Sequence, residues 1–242
     1  MCHVSCIDFG KRNLKAEYFR DKTVIEVGAF DVNGSLRPII ESFRPRNYVG
    51  VDLQMGPGVD QLCNVEDLID KFGCNSFDAV ICTEVLEHVS DWKKAIHNLK
   101  QIIKPEGILL ITTRSAGFGY HGYPFDFWRY EISDIKRISY DLDIKILEND
   151  PKSPGVFLLA RKPKKFIEKK ITNLCLYSII IEKRASIIAS KINWKIIMFL
   201  WNICKLRNNN KYYFIRIMHY YNHPFDITKM LKKKMRILLA RI

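Results

Sequence analysis

The chain has 242 residues, with 39 Lys and Arg against 26 Asp and Glu and a net charge of +13. That length accommodates one ordinary domain with an appendage, and it is ample for a buried core. Seven cysteines, at positions 2, 6, 63, 74, 82, 175 and 204, include no CxxC pair. This argues against a disulfide scaffold or a zinc ribbon and for buried thiols in a reducing compartment.

The charge is unevenly spread. Residues 1–160 carry 19 basic and 23 acidic side chains, a net of −4, whereas residues 161–242 carry 20 and 3, a net of +17. The first part has the balance of a cytosolic enzyme, and the second is suited to an anionic partner. Met1–Cys6 lacks a basic start followed by an apolar stretch, so no signal peptide is expected. Cys2, His3 and Cys6 are read as a frayed terminus rather than as ligands, and no metal is expected.

In chain order, residues 12–21 are polar and predict a leading helix. Thr23–Val27 is rich in β-branched residues and predicts the first strand. It feeds the glycine-bearing stretch Gly28-Ala29-Phe30-Asp31-Val32-Asn33-Gly34, and a helix over 35–43 follows, with Ser35 as its N-cap. A second strand over 46–51 ends on Asp52, 24 positions after Gly28. A sheet of this kind places a carboxylate there for two ribose hydroxyls. Gly56-Pro57-Gly58 is a turn, and a third strand over 59–63 leads to Asn64 and Val65 at a helix start. Asn64 is readable either as an adenine contact or as the cap of that helix.

Residues 76–83 form an apolar fourth strand that runs into Glu84-Val85-Leu86-Glu87-His88-Val89. A period of 3.6 from Trp92 to Ile103 predicts a helix stopped by Lys104-Pro105-Glu106-Gly107, with the fifth strand over 108–113. A short helix over 133–138 and a hairpin over 143–148 and 155–160 close the sheet. The alternation of strand and helix predicts a mostly parallel sheet covered on both faces.

The segment from Phe77 to Thr113, FDAVICTEVLEHVSDWKKAIHNLKQIIKPEGILLITT, resembles the central region of class I S-adenosylmethionine-dependent methyltransferases of the type 11 group. The likeness runs from about Thr23 to Arg161 through four ordered landmarks: the ExG turn at Glu26–Gly28, Asp52, the EVLEHV run and the KPEG turn. The common GxGxG pattern is replaced here by a longer gap from Gly28 to Gly34. The resemblance implies a Rossmann-like, mostly parallel seven-stranded sheet flanked by helices, with S-adenosylmethionine as cofactor. It further implies Glu26 and Gly28 beside the methionine moiety, Asp52 on the ribose and Asn64 with Val65 at adenine. Thr83 and Glu84 would then lie near the methionine amino group and the reacting centre.

Methyl transfer to a hydroxyl or amine also needs a proton removed, and His88 is a candidate base or else a structural cap. Residues 114–130 are rich in glycine and aromatics and read either as a lid over the cofactor mouth or as a satellite core. The lid reading makes His121 and Asp126 proton acceptors and Tyr123, Trp128 and Arg129 acceptor contacts. The acceptor would be a small molecule, a glycan or a lipid-linked precursor. The core reading pairs Asp126 with Arg129 and buries the aromatics.

Residues 1–162 are thus expected to form the methyltransferase domain and 163–242 a basic α-helical extension. Three readings of the extension compete: docking on the enzyme or a dimer mate, attachment to an anionic membrane surface, and nucleic-acid binding, for which no motif is visible. A cytoplasmic protein, peripheral at the inner face of the membrane in the second reading, follows. The competing function is a non-catalytic Rossmann-like module held at such a surface by its tail.

Overall fold

In the computed structural model, residues 3–121, 126–179 and 182–188 are described. Their centre is a seven-stranded sheet built from β1 (Thr23–Val27), β2 (Asn47–Asp52), β3 (Gln61–Leu62), β4 (Phe77–Thr83), β5 (Ile103–Arg114), β7 (Asp143–Asn149) and β8 (Gly155–Arg161). The order is β3-β2-β1-β4-β5-β8-β7. The pairs from β3 across to β5 are parallel, and β8 runs antiparallel to both β5 and β7. This is the mostly parallel Rossmann-like arrangement expected. The strand order reverses between β1 and β4, where Val27 pairs with Cys82, and such a reversal opens a crevice at the carboxyl ends.

The sequence explains the layering. All but Asp78 in β4 are buried, as a central strand covered on both faces requires. One face carries α1 (Val4–Asn13) and α2 (Arg37–Ser42), whose Phe9 and Ile40 join Val24, Ile81, Leu110 and Phe157 in one apolar cluster. Phe9 and Phe157 have ring centroids 5.0 Å apart. Helix α4 (Trp92–Ile102) starts where the Asp91 side chain accepts from Lys94 N at 3.1 Å, and it buries Trp92, Ala95, Ile96, Leu99 and Ile102. Ile96, Leu99 and Ile102 each contribute about 1.5–3 kcal/mol on leaving water. Helices α3 (Leu68–Phe72) and α5 (Ile132–Ile138) complete the set among the described residues.

Three expectations are corrected. From His3 on, the start of the chain is built into the fold: α1 occupies residues 4–13, ahead of the leading helix expected over 12–21, because Cys6 and Phe9 reach the core. His3 caps it through Nδ1, which accepts from Ser5 N at 3.4 Å. The KPEG segment lies inside β5 rather than before it, with a register shift opposite Phe77–Ala79 and Glu106 at φ 67.

The third correction concerns the extension. Its described part contains two short strands, β9 (Leu176–Ser178) and β10 (Lys183–Ala185), and no helix. With β6 (Trp128–Arg129) they form a second sheet in the order β10-β9-β6. Leu174, Leu176 and Ser178 are buried while Cys175 is exposed, which is strand alternation rather than helical periodicity. The first compact unit runs through Tyr177 and takes back Arg184–Ile187, past the boundary expected at 162. Helices read beyond residue 188 lie outside the described residues. Among those described, no helix is long and apolar enough to cross a membrane.

Candidate functional site

Glu26, Gly28, Asp52, Thr83 and Glu84 come together at the carboxyl ends of β1, β2 and β4, on either side of the crevice. Gly28 has φ +80, and a Cβ there would stand 2.1 Å from Val85 Cγ2. Only glycine fits this conformation and this approach. The long gap to Gly34 is a closed loop. Gly28 N and Ala29 N donate to Val51 O at 2.9 and 3.1 Å, Asp31 N donates to Pro57 O at 2.8 Å, and Asp31 Oδ1 accepts from Gly34 N at 2.7 Å.

Asp52 is held in place by backbone donors: Phe30 N to Oδ2 at 3.2 Å and Leu53 N to Oδ1 at 2.6 Å. Its two oxygens offer about four acceptor sites, so capacity for hydroxyl donors remains. Beyond it, Leu53, Leu62, Cys63 and Asn64 line an open depression of about 490 Å³ with Asp67, Asp70 and Lys71. Leu53 is 67 % exposed and Leu62 52 %, so the depression has an apolar rim. The Asn64 side chain accepts from Glu66 N at 3.0 Å, which makes it a helix cap. Val65 is buried, and its carbonyl accepts from Asn98 Nδ2 at 2.9 Å.

Glu26 is 2 % exposed and accepts from Tyr48 Oη at 2.7 Å and Ser35 Oγ at 3.3 Å. Burial pushes its carboxyl up to about 7 against the pull of those two donors. Glu84 follows β4 at φ 56, a left-handed conformation that costs an ordinary side chain about 1–3 kcal/mol. It accepts from Thr112 Oγ1 at 3.0 Å and is ion-paired with Arg114. Burial, with the charge of Glu87 behind it, raises the Glu84 carboxyl. Arg114 also reaches Asp150 at 3.2 Å, and Ser5 Oγ donates to the same carboxylate at 2.7 Å, tying α1 to the site. Thr83 is fully buried.

A second cluster lies past Glu84. His88 and His121 face each other with ring centroids 4.8 Å apart, and Phe118 lies 4.8 Å from His121. Glu87 is fully buried beneath them; its Oε2 accepts from Thr113 Oγ1 at 2.9 Å. The chain from 126 to 130 clamps this turn: Phe127 N donates to Glu87 O at 2.8 Å, Trp128 Nε1 to Ser90 O at 3.3 Å and Tyr130 Oη to Leu86 O at 3.1 Å.

These contacts correct several roles. Trp128 is fully buried, so it packs beneath the turn instead of facing an acceptor. Arg129 is 1 % exposed and grips Asp126 through Nη1 at 2.6 Å and Nη2 at 2.9 Å, which removes it from any phosphate or carboxylate of a ligand. Burial works to raise the Asp126 carboxyl, but hydrogen bonds from Arg129 and His121 outweigh it and bring it to about 2. It therefore positions His121 rather than accepting a proton at neutral pH. Tyr123 lies outside the described residues. Sequence reasoning missed Glu87, Arg114 and Tyr48 as site groups. The ExxEH spacing after β4 was the available signal for the first.

Residues 3–143 match a family model described as a methyltransferase domain. Ubiquinone biosynthesis O-methyltransferase of Haemophilus ducreyi is 43 % identical over 56 residues, 22 % of this chain and 24 % of that protein. Phosphoethanolamine N-methyltransferase 2 of Caenorhabditis elegans is 24 % identical over 135 residues, 49 % of this chain and 30 % of that protein. The matched stretch thus spans less than a third of the length of either relative. Among solved structures, an S-adenosylmethionine-dependent methyltransferase from Mesorhizobium loti superposes with a TM-score of 0.50 at 13 % identity. It covers 64 % of this chain and 96 % of its own.

Proposed function

The chain belongs to the methyltransferase-domain family, whose cofactor is S-adenosylmethionine, and we propose that it transfers the cofactor's methyl group to a hydroxyl of a small acceptor. The observation that carries this reading is the alignment of three features along one row of strand ends. These are the Gly28 cradle, the Asp52 carboxylate and the Glu87–His88–His121 cluster. Asp52 would hold the ribose hydroxyls, and the depression beside Leu53 and Leu62 would take the adenine ring. Glu26 and Glu84 would lie near the cofactor's ammonium and sulfonium. The donor–acceptor order along the crevice leaves the histidine cluster for the acceptor.

In the transfer, the acceptor oxygen attacks the methyl carbon in line. Bound S-adenosylmethionine would supply the methyl group and keep the electron pair of the carbon–sulfur bond on sulfur, while the histidine cluster would take the acceptor's proton. The sulfonium methyl is already activated, so positioning and exclusion of water supply much of the rate. An oxygen acceptor is supported by two imidazoles and a buried carboxylate, groups able to take up the proton that a hydroxyl loses. The O-methyltransferase name of the Haemophilus ducreyi relative points the same way.

Titration calorimetry with S-adenosylhomocysteine tests the cofactor assignment. Asp52→Ala removes charged hydrogen bonds to two hydroxyls and is expected to cost about 2–3 kcal/mol, some 30- to 150-fold in Kd. Wild-type protein that gives no binding heat, or an Asp52→Ala variant that binds like wild type, would sink the reading.

A pH dependence is also expected. A carboxyl near pH 7 that must ionise beside a cation loses its proton on binding, so affinity for S-adenosylmethionine should rise about tenfold between pH 6 and pH 8. Calorimetry in buffers of different ionisation enthalpy should register the released proton. Glu26→Gln should flatten the slope; a slope unchanged in that variant would exclude Glu26 as its source.

A further inference from the structure

We propose that Glu87, His88 and His121 form a binding site for a first-row divalent cation on the acceptor side of the crevice. Their ligand atoms all lie within 4.8 Å of one another. Ligands on one ion stand at most about 4.2 Å apart, twice a bond of about 2.1 Å, so a small turn of the His121 ring closes the set. His121 is the member with room to turn, its side chain being 28 % exposed.

Two further observations point to a ligand. Glu87 is completely buried, yet its Oε1 has no hydrogen-bond partner. It faces His121 Nε2 at 3.9 Å, beyond hydrogen-bond reach. A fully buried carboxylate oxygen without a hydrogen bond is costly, and a cation shared with the two rings would satisfy it. The second observation is the support around the ligands. Asp126 lies 3.2 Å from His121 Nδ1 and accepts from its backbone N at 2.6 Å. With Nδ1–H donated to this carboxylate, the Nε2 lone pair is left toward Glu87 and His88. Carboxylate-to-imidazole contacts of this kind orient metal-binding histidines. Asp126 is itself fixed by the two-pronged grip of Arg129, and Glu87 by Thr113.

Charge favours a cation as well. In the network that links Glu84, Glu87 and His121, the buried acids Glu84, Glu87, Asp126 and Asp150, when ionised, outnumber the buried bases Arg114 and Arg129. Glu84 is committed to Arg114 and Thr112, which leaves Glu87 as the carboxylate free to ligate. Two imidazoles with one carboxylate suit Zn²⁺ or Mn²⁺ better than Mg²⁺ or Ca²⁺, which prefer all-oxygen shells. Three protein ligands leave a position open. Resting on the methyl-transfer reading, the ion would bind the acceptor oxygen there and ease loss of its proton before the methyl arrives.

Calorimetric titration of the full chain with ZnCl₂ and separately with MnCl₂ tests this site, with S-adenosylhomocysteine titrated in parallel. One ion per chain is expected, with a Kd in the micromolar range or below for Zn²⁺. Glu87→Gln and His121→Asn should each weaken it at least tenfold while S-adenosylhomocysteine affinity stays within about threefold. Retained cofactor affinity also shows that the variants fold. Absence of saturable Zn²⁺ and Mn²⁺ binding by a protein that binds S-adenosylhomocysteine overturns the metal site alone. Zn²⁺ affinity unchanged from wild type in both variants does the same. Saturable, variant-sensitive Zn²⁺ binding without cofactor binding leaves the site standing and removes its role in methyl transfer.

Discussion

Gly28→Val is expected to raise the dissociation constant for S-adenosylhomocysteine about 100-fold while the protein remains folded. At φ +80 a β-branched side chain is strained, and its Cβ would lie 2.1 Å from Val85 Cγ2. The variant escapes by turning the peptide to negative φ. That movement gives up the donation from Gly28 N and Ala29 N to Val51 O, and it draws Phe30 N from Asp52 Oδ2. Ligand binding must then restore the original loop at a cost of about 3 kcal/mol, which corresponds to the stated factor. A second variant separates the two causes. Adding Val85→Ala removes the collision but not the backbone strain, so it should recover only part of the affinity. Full recovery in the double variant would mean that the contact, and not the conformation, makes glycine necessary at this turn.

That turn also shows how far sequence reasoning reaches. The run Thr23–Gly28 and the acid at Asp52 are local signals: a β-branched strand, a glycine and a carboxylate at a strand end. The structure brings them together as expected because the parallel register of β1 on β2 sets their ends side by side. The segment 114–130 was harder to read. Its composition fits a lid and a satellite core equally, and only tertiary contacts decide that Trp128 and Arg129 are inside while His121 keeps an open edge. The same limit applies to α1. Residues 4–13 carry a modest pattern, and beyond the His3 cap their helix is stabilised by packing of Cys6 and Phe9 on distant strands. Residues 171–188 misled through composition, since apolar residues mixed with Lys and Arg fit an amphipathic helix. The alternation at Leu174, Leu176 and Ser178 was present but short.

Arg114 illustrates the part of the site that no local pattern reveals, and its removal has the largest expected effect on stability. The residue is 2 % exposed and its guanidinium lies between Glu84 and Asp150, two carboxylates far apart in the sequence. Arg114→Leu keeps much of the volume but leaves both acids buried without their counter-charge, which is expected to cost about 3–5 kcal/mol. Urea denaturation followed by circular dichroism measures it. The deficit should depend on pH in a definite direction. Glu84 already has a raised carboxyl, and loss of Arg114 raises it further. A carboxyl whose folded pKa exceeds the unfolded one costs stability above the folded pKa and costs nothing below the unfolded one. The gap between variant and wild type should therefore narrow as pH falls from 8 toward 4.5. Glu84→Gln in the Arg114→Leu background should recover stability at pH 8, because the amide can still accept from Thr112 without a charge to bury. If the deficit is the same at both ends of that pH range and Glu84→Gln restores nothing, then Arg114 contributes through packing against Phe118, whose ring centre lies 4.5 Å from the guanidinium, and not through its charge.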